Sequence, residues 1–171
     1  MKFLLKKAGH ENTAFELITA DNALGGSNAA IVLGELMREN GVNVQVRRVP
    51  TDGYFTTVWK KVPWCASYWS GRPTAVGAFE TAYVTGAADN EAAWSSPKLD
   101  SIVAQAKAER DEKKAAALLC EAQGILSVEG ASIIPCFVPW LDAYSNRVKG
   151  LKGNPRASLG AGQWQSVWLD G

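Results

Sequence analysis

Histidine occurs once in this chain and cysteine three times, and no cysteine pair has the CxxC spacing of a zinc or redox motif. His10 lies in the polar, turn-like run Gly9-His10-Glu11-Asn12. It lacks the partners that a metal site or a histidine-dependent triad needs, so it is expected at the surface. Cys65, Cys120 and Cys136 are expected to be buried free thiols, and a Cys65–Cys136 bridge would need their two strands to be neighbours. An excess of one charge is also lacking. Seventeen acidic side chains face eighteen basic ones over 171 residues, and the basic ones form no stripe, which argues against nucleic acid as a partner. No apolar run approaches the roughly 20 residues that span a bilayer, so no membrane insertion is expected. The apolar part of Met1–Lys7 is far shorter than the roughly 7–15 residues of an export signal, and reads as a short helix closed by Gly9. No signal peptide is therefore expected. A nucleophile elbow, a phosphate-cradling glycine loop and a spaced acid–base pair are missing too. The chain reads as a non-enzyme with no cofactor and no metal.

What is present suits one domain with a real core. Phe15–Thr19 and Val42–Val49 alternate apolar and polar residues as strands do. Ser132–Val138 is an apolar run interrupted by Pro135, which suggests an edge or a bulge. Leu141–Tyr144, after the turn at Pro139-Trp140, is a further short strand candidate. Between the strands, Ser27 or Asn28 can cap a helix with Ile31, Val32, Leu36 and Met37 on one face and Gly41 as its stop. Pro50-Thr51-Asp52 can cap a helix running through Tyr54, Phe55, Val58 and Trp59. Later helices are expected over Ala75–Tyr83, from Ser96-Pro97 onward, and from Asp111 to Gly130. Strand, helix, strand, helix, strand is the order of an α/β sheet with parallel crossovers. The segment 148–171 is irregular in composition, with Trp164 and Trp168 as its expected anchors to the body.

The third strand of that series, Pro63–Trp69, is the most informative. It breaks at Ser70-Gly71-Arg72-Pro73-Thr74, where Gly and Pro cannot continue a ladder. A buried strand that empties into a polar loop is where α/β proteins place ligands. The loop offers aromatic faces from Tyr68 and Trp69, hydroxyls from Ser70 and Thr74, a bare backbone at Gly71, and in Arg72 a planar cation suited to a carboxylate or phosphate. The bland reading, core aromatics beside a solvated arginine, stands on even terms by composition alone.

In order along the chain come Leu4-Leu5-Lys6-Lys7-Ala8-Gly9, Leu36 to Val44, Tyr54-Phe55, Tyr68 to Thr74, Asn90 to Trp94, Ser96 to Asp100, Glu121 to Leu126, and Ile133-Ile134-Pro135 before Lys149-Gly150. With these pieces the chain resembles the second, C-terminal lobe of extracellular solute-binding proteins of the peptide, nickel and opine uptake class, which deliver ligands to ABC transporters. The resemblance implies a single periplasmic-binding-protein-like (type II) α/β lobe, a mainly parallel mixed sheet with helices on both faces, spanning 1–171. It implies that Tyr68, Trp69, Ser70, Gly71, Arg72 and Thr74 line one wall of a cleft closed by a first lobe, which this chain lacks. Many peptide binders of the class carry an aspartate in this loop for the ligand's amino group. Arg72 stands in that region here, which speaks against capture of a peptide N-terminus and for a ligand with an anionic group, and the ligand expected is a small peptide or an anionic small molecule. The class further implies an ABC transporter permease as partner of the full-length parent and a periplasmic location for that parent. Gly25-Gly26-Ser27, Ala75-Val76-Gly77-Ala78 and Ala115-Ala116 are plainer than the class leads one to expect, as in an excised or engineered isolated lobe. Such a lobe would expose apolar residues near Tyr68–Phe79 and could self-associate through them. A purely structural stand-alone domain without useful ligand affinity is the alternative on the same fold.

Overall fold

The computed structural model describes residues 2–21, 26–139, 141–154 and 157–171. Phe15–Thr19 (β1) and Val44–Arg48 (β2) pair in parallel, with Phe15 opposite Val44 and Thr19 opposite Arg48. Because successive strand residues point to opposite faces, β1 feeds two cores. Leu17 packs with Ala30, Val42 and Val44, while Ile18 joins Ala20 and Tyr54 on the other side. The first face is covered by Gly26–Glu39 (α2), through Ala30, Leu33 and Met37. A Cβ on Gly34 would lie 2.7 Å from Val46 Cγ2, so this glycine lets α2 close on the sheet. The short helix Lys2–Lys7 (α1) adds Leu5 to the same core. The second face is covered by Tyr54–Thr57 (α3) with Val58 and Val62 behind it. Helices thus lie on both faces of the parallel pair.

A third core is wholly helical. Ala75–Ala82 (α4), Pro97–Ala108 (α5) and Glu112–Glu129 (α6) bury Phe79, Leu99, Ile102, Val103, Ala122 and Ile125 together. The capping residues read from the sequence do their work here. Ser96 Oγ accepts from Leu99 N at 3.3 Å, and Asp111 Oδ1 accepts from the amides of Lys113 and Lys114.

Several expectations are corrected. The Pro63–Trp69 strand reduces to one parallel bridge, Cys65 opposite Ile18, with Ile18 N donating to Trp64 O at 3.2 Å and Ala66 N to Ile18 O at 2.8 Å. Pro63 has no N–H to extend that ladder, and the chain leaves the sheet after Ala66. Ser132–Val138 forms no strand. Its residues from 133 onward are exposed, Phe137 at 91%, Pro135 and Pro139 each remove a donor, and no ladder forms with it among the described residues. Leu141–Tyr144 is likewise exposed and irregular. The mainly parallel sheet is therefore β2-β1 plus the Cys65 bridge, and a separate antiparallel ribbon joins Val148–Lys149 (β3) to Trp168–Leu169 (β4).

Smaller differences have local causes. Helix α2 begins at Gly26, so Ser27 is inside it and buried rather than a cap, and Gly25 lies outside the described residues, as does Trp140. Gly53, at φ +69°, takes the N-cap of α3 instead of Pro50–Asp52, and the helix stops after one turn. Thr56 and Thr57 hydroxyls bond back to Gly53 O at 2.8 and 2.9 Å, a competing pattern for short helices. Trp164 and Trp168 are exposed rather than buried anchors. Trp168 instead covers Gly150, where a Cβ would meet its ring at 2.5 Å. All three cysteines are free, with Cys65 half-buried and Cys120 and Cys136 exposed, because the strand meant to carry Cys136 beside Cys65 does not form.

Tyr54 ties these parts together. It is 1% exposed, and its single hydroxyl proton is shared between Ala66 O at 2.7 Å and Ile18 O at 3.1 Å. Tyr54→Phe leaves packing intact but strips that donor, and is expected to lower the unfolding free energy by roughly 1–2 kcal/mol. A urea titration read by Trp fluorescence checks this, and an unchanged midpoint would contradict it.

Candidate ligand-binding face

The bridge at Cys65 runs parallel to β1, so the chain leaves the sheet at its carboxyl edge, the edge where open α/β folds put ligands. From Ser67 to Pro73 no regular structure forms, and α4 then starts at Ala75. Thr74 is its N-cap, accepting from Gly77 N at 3.1 Å. That hydroxyl serves the helix first. Ser70 and Gly71 are exposed, and a Cβ on Gly71 would meet nothing within 4 Å.

The aromatic residues of the loop do not sink into the core. Tyr68 is 42% and Trp69 37% exposed. Tyr68 packs edge-on against Phe55 at 5.9 Å between ring centroids, and Phe55 in turn meets Trp59 at 6.1 Å and Tyr54 at 5.6 Å. Arg72 lies over the Trp69 ring, its guanidinium carbon 5.6 Å from the centroid, within cation–π reach. The bland reading of buried aromatics therefore fails for Tyr68 and Trp69.

One residue that sequence reasoning did not single out organises this face. Glu91 accepts the Trp69 indole N–H on Oε1 at 3.1 Å and the Trp59 indole N–H on Oε2. Its loop is held by Asn90, whose Nδ2 donates to Val84 O at 3.2 Å and Trp94 O at 2.7 Å. Lys60 packs over the Trp59 ring and donates to Ala88 O, which adds a second tie to the same loop. Glu91 stands in the Asn90–Trp94 run, yet a lone glutamate there has no sequence partner 20 or 30 positions away. Only the fold brings it to the tryptophans.

The charge of Glu91 is felt behind the face. Burial pushes the Cys65 thiol pKa up and the nearby Glu91 carboxylate pushes it further. Burial likewise raises the phenols of Tyr54 and Tyr83, with Glu91 adding to both. Among the described residues, no group of three or more His, Cys, Asp and Glu could hold a metal ion, and no helix is long and apolar enough to cross a membrane. Two surface hollows, lined by Gln105, Ala108, Glu109, Arg110 and Leu118 and by Lys2, Leu5, Glu11 and Gly41, share no residue with the aromatic loop.

No family model matches the chain, and no curated protein matches it in sequence. Solved structures do. AppA from Clostridium difficile superposes with a TM-score of 0.75 at 15% identity, over 99% of this chain and 36% of that one. DppA from Helicobacter pylori, an ABC transporter-associated periplasmic binding protein solved with the peptide STSA, gives 0.72 at 19% identity, over 98% of this chain and 33% of that one. The fold is that of part of a peptide/nickel substrate-binding protein. NikA from Staphylococcus aureus, solved with Ni(L-His)2, matches over 74% of this chain and 28% of its own, with a TM-score of 0.60 at 22% identity. The chain thus spans about a third or less of the length of these substrate-binding proteins, and at such identities the likeness is one of fold.

A raised thiol pKa means less thiolate at a given pH, and thiolate is the reactive form. Iodoacetamide at pH 8 is expected to modify the exposed Cys120 and Cys136 first and Cys65 last, and peptide mass mapping over time checks the order. Cys65 reacting as fast as the other two would contradict its burial under Tyr54.

Proposed function

We propose that this chain is the ligand-binding lobe of a solute-binding protein that delivers peptides or opine-like solutes to an ABC transporter in the periplasm, and that it does no chemistry on them. Tyr68, Trp69, Ser70, Gly71, Arg72 and Thr74, with Phe55 and Trp59 behind them, form one wall of the ligand cleft, and a first lobe supplies the other. The observation that carries this reading is the exposed Tyr68–Arg72 loop at the carboxyl edge of the sheet, on a fold whose neighbours include a peptide-bound and a Ni(L-His)2-bound protein.

The same openness favours the second reading for the chain by itself, a stable domain with little affinity. Ligand sites of this kind enclose roughly 70–90% of the ligand surface, and a single wall leaves the Arg72 guanidinium in water. Exposed ion pairs contribute about 0–1 kcal/mol, whereas association costs at least about 4 kcal/mol in translational and rotational freedom. The isolated chain is expected to bind di- and tripeptides and opines with a Kd of about 1 mM or weaker, and the same titration with a first lobe from a protein of this fold restored is expected to bind far more tightly. Calorimetry on both checks it. A micromolar Kd for the isolated chain that Arg72→Ala abolishes would show a complete binding module, and no binding in either form would overturn the ligand-binding role.

A further inference from the structure

Trp69 carries opposite charges on its face and on its edge. Arg72 lies over the ring face, 5.6 Å from the centroid, where the π cloud favours a cation. Glu91 meets the indole edge, accepting its N–H at 3.1 Å, where the ring is electropositive. No ion pair joins Arg72 to Glu91, so neither charge is consumed by the other. Each Glu91 oxygen holds one indole N–H, while a carboxylate offers about four lone-pair sites. Half of its accepting capacity therefore remains for a donor that approaches beside the exposed Trp69 ring.

Resting on the reading that this face takes a ligand, we propose that Glu91 is its ammonium-recognising residue, set against Arg72 so that the face selects zwitterionic ligands over purely anionic ones. Arg72 alone points to an anion. With Glu91 the Trp69 ring has a cation on its face and an anion at its edge, and a ligand carrying an ammonium and a carboxylate can meet both. An ammonium group has three donors and is drawn to aromatic faces as well as to the carboxylate. A ligand bearing only a negative charge would meet the Glu91 carboxylate without compensation. The Glu91 carboxylate is held by two indole N–H groups, one on each oxygen, which limits the positions its remaining lone pairs can take.

The test is an NMR titration of the 171-residue chain with alanyl-alanine, N-acetyl-alanyl-alanine and alanyl-alanine amide, read on the indole N–H signals of Trp59 and Trp69. Alanyl-alanine is expected to bind about threefold to fivefold more tightly than either blocked peptide, the range open to a solvent-exposed ion pair. Glu91→Gln is expected to abolish the preference for the free over the acetylated peptide and to keep the preference for the free over the amidated one. Arg72→Ala is expected to do the reverse. Acetylated peptide binding the unaltered chain as tightly as alanyl-alanine would overturn this inference alone, without need of any variant. If the chain alone shows no shift the titration is repeated with a first lobe restored, and failure of all three peptides to move either indole signal in both forms would overturn the ligand-face reading and this inference with it.

Discussion

The hydroxyl of Tyr54 is the contact on which the rest of the arrangement depends. A parallel pair of five-residue strands is a small sheet, and the third position is held by only two backbone bonds around Ile18. Tyr54, buried from the α3 side, reaches through to the carbonyls of Ile18 and Ala66 and joins the central strand to the departing chain. Its ring also seats Phe55, and through Phe55 the aromatic row that ends at Tyr68. Packing of the sheet and placement of the aromatic face are thus one event. The loop has no regular structure of its own, and it needs none because its two ends are fixed, by Tyr54 at Ala66 and by the Thr74 cap of α4.

A second tie comes from the helical half of the molecule. Glu91 grips Trp59 and Trp69, and Lys60 reaches Ala88 O, so the loop preceding α5 is fastened to the segment that follows α3. This couples the all-helical core of Phe79 and Leu99 to the sheet core of Leu17 and Val44 without a shared hydrophobic cluster. The contrast with residues 131–147 is instructive. That stretch is as apolar as a strand but exposes Ile133, Ile134, Phe137, Val138, Leu141 and Tyr144, since it has no buried polar anchor and no ladder among the described residues.

The local signals of the sequence were sufficient wherever a few neighbouring residues decide the outcome. Strand alternation in β1 and β2, the caps at Ser96 and Asp111, and the left-handed stop at Gly41, φ +80°, were all legible. Failures lie where a distant partner decides. Ser132–Val138 has strand composition, but a strand exists only when something pairs with it, and its two prolines work against that. Trp164 and Trp168 look like anchors by type, yet Trp168 is used to cover Gly150 inside its own ribbon. In the aromatic loop, Tyr68, Trp69 and Arg72 stood out in the sequence because they follow a strand end. Glu91, Phe55 and Trp59 did not, because their roles depend on separations of 22 and 32 residues for the indole bonds and on a ring contact made only after folding.

The central claim is that the aromatic face is held in place before any ligand arrives, by Tyr54 on one side and Glu91 on the other. Hydrogen exchange of the unliganded chain, followed by NMR, tests it most directly. The account predicts slow exchange at the amides of Ile18 and Ala66 and at the indole N–H groups of Trp59 and Trp69, alongside rapid exchange throughout residues 132–138. Indole N–H groups exchanging at the rate of free tryptophan, or protected amides along 132–138, would contradict it.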